Sequence, residues 1–91
     1  MSETTAARIE RLLRERFEPA RFELVDDSAR HAGHPGATSG GGHFNVTIES
    51  AAFEGLTRLE RHRSVYAALE GMIGVEIHAL AIRATAPSEA G

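Results

Sequence analysis

Cysteine is absent from the 91 residues. That absence excludes disulfides, thiolate nucleophiles and any cysteine-ligated metal centre held by this chain alone. Lysine is absent as well, all ten basic residues being arginine, so a lysine nucleophile is excluded too. No apolar run approaches the ~20 residues needed to cross a bilayer. The opening Met1-Ser2-Glu3-Thr4 is polar and acidic, with no apolar stretch after it. The expectation is therefore no membrane segment, no secretory signal and a cytoplasmic location. An excess of positive charge is also missing. At a net charge of −3, nucleic acid could be bound only through a local basic patch.

What is present suits one small globular domain spanning 1–91, with an ordered core over about 4–86 and a disordered tail at 87–91. A helix is expected over Thr4–Phe17, because Ile9, Leu12, Leu13 and Phe17 form one stripe. Glu10 and Arg14 are spaced for an i,i+4 pair, and Pro19 closes the helix. A short strand at Arg21–Asp26 follows. Next comes a glycine-rich stretch from Ser28 to Gly42 carrying His31 and His34, long for so small a domain. His43–Ser50 alternates Phe44, Val46 and Ile48 with polar residues and reads as a half-buried strand. A short helical turn at Ala51–Gly55 leads to a helix over Arg58–Glu70, opened by the Thr57/Glu60 capping-box spacing. Its inner stripe is expected to be Leu59, His62, Tyr66, Leu69 and Ile73. The last strand is expected at Val75–Thr85, where alternation places His78 on the face of Leu80 and Ile82.

This order is αββααβ, an α+β arrangement of the type II KH-like kind. It implies a three-stranded mixed sheet with helices packed on one face. No nucleophile elbow, Walker loop or paired-carboxylate frame is present. The glycines at 40–42 precede a strand and not a helix, so they lack the dipole of a phosphate cradle. The chain is read as non-enzymatic. A nucleic-acid surface would use Arg58, Arg61 and Arg63, although the junction Gly55-Leu56-Thr57-Arg58 has no second glycine to match a G-x-x-G turn. Of the five histidines, His43 at the head of a strand and His62 on a helix stripe read as structural. His78 on a strand, with His31 and His34 in the glycine-rich stretch, could meet at a metal. Two imidazoles are half a site, needing a partner's ligands.

Gly42-His43-Phe44-Asn45-Val46, Phe53-Glu54-Gly55, Arg61-His62-Arg63-Ser64-Val65-Tyr66 and Ile77-His78-Ala79-Leu80 occur here in order. In that combination the chain resembles the BolA family over roughly residues 5–88. The resemblance implies the KH-like fold and a heterodimer with a monothiol glutaredoxin. It also implies a [2Fe–2S] cluster shared with that partner and its glutathione, with no cofactor held tightly by the chain alone. The family's I-H-A-L histidine is a cluster ligand, which carries over to His78. Its second ligand is a Cys or His between the first two strands, which points first to His31 and then to His34. Some bacterial members are described as transcriptional regulators of cell shape and stress responses. The alternative is therefore DNA binding through the Arg61-His62-Arg63 helix.

Overall fold

The computed structural model describes residues 3–27 and 42–89. The glycine-rich stretch with His31 and His34 lies outside them. Helix α1 runs Thr5–Phe17, and Thr4 caps it by accepting the Ala7 N–H at 3.0 Å. Ile9, Leu13 and Phe17 are its buried stripe. Arg14 donates to Glu10 at 2.7 Å across one turn of its exposed face. Glu18, just ahead of Pro19, turns left-handed at φ 45° and ends the helix.

Strand β1 (Arg21–Asp26) pairs antiparallel with β2 (Gly42–Glu49), Phe22 lying opposite Ile48 and Leu24 opposite Val46. Helix α2 (Arg58–Ala68) carries the chain across to β3 (Ile77–Thr85), which pairs parallel with β2. The strand order β1-β2-β3 puts β2 at the centre. Phe44, Val46 and Ile48 of β2 are buried, while His43, Asn45, Thr47 and Glu49 are less so. The core therefore lies on one face of the sheet, closed by α1, α2, Phe53 and the Leu69–Met72 turn. This is the mixed sheet expected from the sequence, and its element order is compatible with the KH-like label.

Both halves of the capping box form at the head of α2. Thr57 Oγ1 accepts from the Glu60 N–H at 3.1 Å, and Glu60 Oε1 accepts from the Thr57 N–H at 2.8 Å. That backbone donor holds the Glu60 carboxyl below its ordinary pKa. Thr57→Ala is expected to cost about 1 kcal/mol, read as a lower urea midpoint at unchanged denaturant slope.

Three expectations change. The inner face of α2 is Arg61 and Val65, continued by Leu69 and Met72, whereas Leu59 is 58% exposed and Tyr66 38%. Strand β3 begins at Ile77, not Val75, because Gly74 at φ +82° turns the chain and donates its N–H to the Ile77 carbonyl at 2.8 Å. Pro87–Glu89, expected as free tail, forms a 3-10 turn. Its Ser88 hydroxyl donates to Glu54 at 2.7 Å and its Glu89 carboxylate accepts from Arg61.

Candidate functional site

The site begins with a fault in strand pairing. Gly42 lies opposite Ile77, but His43 lies opposite Ala79. His78 is therefore an extra residue with no partner across the ladder, a bulge of a kind uncommon in parallel pairs. The reason lies in the packing. Ile77 is buried, and Leu80 and Ile82 pack against the same core, yet residues 77 and 80 cannot share a face under strict alternation. One inserted residue reconciles them. His78 is left exposed, so the expectation that it shares the face of Leu80 and Ile82 is corrected.

The bulged end is pinned on several sides. The Gly42 N–H donates to the Glu76 carbonyl at 2.8 Å, and the Asp27 N–H donates to the His43 carbonyl at 2.7 Å, so all three strands are tied at one level. The Ile77 N–H donates to the Met72 carbonyl at 3.0 Å. Arg8 of α1 reaches the Glu76 carboxylate at 2.8 Å. The Asn45 amide donates to the Asp27 carboxylate.

On this platform the rings of His78 and His43 lie 5.1 Å apart between centroids, tilted by 40°. Sequence alone assigns His43 a structural part, and the structure brings it to His78. The available signal is positional: each histidine stands at the head of a strand, and the two strands pair in parallel. A shallow cleft of about 260 Å³ runs beside the pair, lined by Asp27, His43, Asn45 and Ala79 among others. Among the described residues no three His, Cys, Asp or Glu side chains are grouped to hold a metal ion. Two imidazoles near solvent can donate nitrogen to a metal centre whose other ligands come from elsewhere.

The arginines separate. Arg61, grouped at sequence level with Arg58 and Arg63 as a nucleic-acid contact, is only 9% exposed. Its guanidinium donates to the Leu56 carbonyl at 3.0 Å, the Ala84 carbonyl at 3.1 Å and both oxygens of Glu89 at 2.6 and 2.8 Å. It is a structural clamp. Arg58 and Arg63 are exposed. Arg58, His62 and Arg83 border a cleft of about 460 Å³ between α2 and the outer edge of β3. Arg83 carried no sequence signal, because only the packing of α2 against that edge brings it there.

Fold and site together define a class: a small α+β domain that presents imidazoles at an open sheet end, beside shallow clefts and not a closed pocket. The chain belongs to the BolA-like family, whose "BolA-like protein" model matches residues 13–89. It is 43% identical over 83 residues to human BolA-like protein 1, covering 91% of this chain and 58% of that one. It is 41% identical over 75 residues to the Escherichia coli DNA-binding transcriptional regulator BolA, covering 82% of this chain and 69% of that one. The chain thus spans little more than half of the human relative. Among solved structures, BolA1 from Arabidopsis thaliana superposes with a TM-score of 0.85 at 37% identity over the whole of both chains. The BolA domain of SufE1 from the same plant gives 0.81 at 37% identity, covering 98% of this chain and 99% of that domain.

Proposed function

We propose that this chain is a non-catalytic partner of a monothiol glutaredoxin and donates histidine nitrogen to a [2Fe–2S] cluster shared with that protein and its glutathione. The observation that carries the reading is the bulge at His78, which lifts an imidazole out of the core on a rigid strand. A core histidine has no need of such placement. The donor set fits the group: imidazole can replace thiolate on one iron of a [2Fe–2S] centre, as in Rieske sites. A chain without cysteine brings no thiolate, so the thiolates of such a centre would come from the partner. When bound, the cluster supplies one-electron redox chemistry, and imidazole ligation raises its potential relative to all-thiolate sites. The chain's own part is to hold His78 and to leave the mouth of the site open for a partner. In the SufE-like relative from Arabidopsis thaliana the matching stretch is part of a longer chain, 24% of whose length is covered.

The test is to mix the protein with cluster-loaded monothiol glutaredoxin and glutathione and to record visible absorption and circular dichroism. The native chain is expected to give a new spectrum, and His78→Ala to lose it. An unchanged spectrum in His78→Ala overturns the proposal.

A second reading, DNA binding, is favoured by the name of the E. coli relative and by the arginine-bordered cleft. It requires Arg58, Arg63 and Arg83, with Arg61 committed to the fold. Affinity for a duplex should then fall steeply with salt, and Arg58→Ala with Arg63→Ala should reduce the log–log salt slope by about one unit per lost phosphate contact. No duplex binding at about 0.15 M salt rejects this reading.

A further inference from the structure

We infer that β1 is an assembly edge, along which a second copy of this chain pairs antiparallel and extends the three-stranded sheet to six strands. Neither histidine at the head of the sheet takes part, so the cluster reading can fail while this pairing holds.

The strand order β1-β2-β3 leaves β1 paired on one side only. The Asp27 N–H donates to the His43 carbonyl at 2.7 Å, and Val25 and Glu23 follow in the same register opposite Asn45 and Thr47. In an antiparallel ladder such bonded residues alternate with residues whose N–H and C=O point away. The backbone groups of Phe22 and Leu24 therefore point outward from the sheet. On the opposite edge, the Leu80 and Ala84 carbonyls of β3 are taken by the side chains of Tyr66 and Arg61. Among the described residues nothing comparable covers Phe22 and Leu24. An edge left open in this way is a template for another strand.

The side chains make that edge complementary to itself. Arg21 and Glu23 share the open face of the sheet, and both are exposed. The Arg21 side chain is 82% exposed, with Glu49 no nearer than 4.0 Å. Phe22 between them lies at the rim of the core, half-buried, with the Arg14 guanidinium 5.1 Å from its ring centre.

Set antiparallel with Phe22 opposite Phe22, the strand brings Arg21 against Glu23 of the second copy, and Glu23 against its Arg21. These are non-hydrogen-bonded positions, where facing side chains approach most closely. A slide of two residues, the smallest that keeps the faces, sets Glu23 on Glu23 or Arg21 on Arg21. Like charges directly opposite each other destabilise a ladder. The charges thus select one register, and a second copy of this chain as its occupant.

In that register the two Phe22 residues exchange their backbone bonds, and their half-covered rings meet across the two-fold axis. A hollow of about 420 Å³ lined by Arg21, Phe22, Glu23 and Thr47 leaves room for the incoming side chains. The contact uses the same patch on both copies, so it closes at two. Phe22 lies level with Ile48 and Ala84, at the far end of the sheet from His78. Both copies keep that end open.

Such a contact is small, so the dimer is weak, with a dissociation constant on the order of 0.1 mM. Sedimentation velocity of the full chain should show monomer passing to dimer between about 10 μM and 1 mM. Over the same range the Phe22 amide resonance should move, while that of Glu23, already facing β2, stays. Arg21→Glu and Glu23→Arg should each weaken self-association about tenfold, since both cross-strand contacts become like-charged. Mixed in equal amounts, the two variants should associate with each other at near-native affinity, because every carboxylate then meets a guanidinium. Urea midpoints near the native value show that each variant is folded. A native chain still monomeric at about 1 mM overturns the proposal, whichever other strand the edge accepts. So does dimerisation undiminished in both single variants, or a mixture of the two that stays monomeric.

Discussion

Phe53→Ala is expected to lower the unfolding free energy by about 3–5 kcal/mol, the usual cost of emptying a fully buried aromatic site. Phe53 has no exposed surface, and its ring lies 4.9 Å from that of Phe17, tilted by 35°. It enters the core from the 3-10 turn at Ala51–Phe53. The turn is itself fixed by Ser50, whose buried hydroxyl donates to the Phe17 carbonyl at 2.6 Å and accepts from the Ala52 N–H at 3.1 Å. Collapse into the vacated space would have to break these bonds, so the cavity should persist. Small domains have about 5–15 kcal/mol in all, and each kcal/mol moves the melting temperature of a domain this size by roughly 4–8 °C. The melting temperature should therefore fall by more than about 10 °C, with Phe53→Leu recovering part of the loss. A change equivalent to less than about 1 kcal/mol would mean that the site relaxes freely.

Arg61→Ala should destabilise the fold several times more than Thr57→Ala, because one guanidinium ties together distant parts of the chain. It joins α2, the Leu56 carbonyl before it, the Ala84 carbonyl near the end of β3, and the C-terminal turn through Glu89. Its loss leaves two backbone carbonyls without their donors and releases the turn. Arg61→Lys should rescue little, since an ammonium cannot reproduce the planar fork. The same clamp makes stability depend on acid. The Arg61 guanidinium, followed by the Ala86 N–H, holds the Glu89 carboxyl down to a pKa of about 2, against an ordinary value of 4.5. A carboxyl depressed in the folded state contributes stability that is complete above its unfolded pKa and declines as pH falls toward the folded one. Urea midpoints should therefore drop between about pH 4.5 and 2, and Glu89→Gln should flatten the curve in that window. An identical pH profile in Glu89→Gln would show that the clamp contributes nothing there.

These results also mark where sequence reading succeeds. The stripe Ile9, Leu13, Phe17 and the alternation of Phe44, Val46 and Ile48 are legible because each position is apolar and buried in one period. The Thr57–Glu60 box is legible because capping is local. The inner face of α2 escapes such a reading, since one of its two buried residues is an arginine. A buried Arg61 makes sense only once Leu56, Ala84 and Glu89 converge on it from 5, 23 and 28 residues away. The exposed Leu59 and Tyr66 then supply a false stripe. Tyr66 has a separate task, donating its hydroxyl to the Leu80 carbonyl at 3.2 Å. At the site, His78 is legible as a candidate, but its exposure and its approach to His43 are not. Both follow from a bulge that forms only when β2 and β3 are paired, and strict alternation cannot anticipate an inserted residue.

The bulge also separates two things that proteins often entangle. Because His78 is supernumerary in the ladder and contributes no side chain to the core, the chain can lose the imidazole without loosening its fold. A variant altered only there should remain soluble and keep the rest of its outer surface. On the proposed reading it would meet the same glutaredoxin and occupy it without completing the site. If the glutaredoxin partnership proposed above holds, such a chain becomes a folded competitor of the intact one, able to silence it by numbers alone.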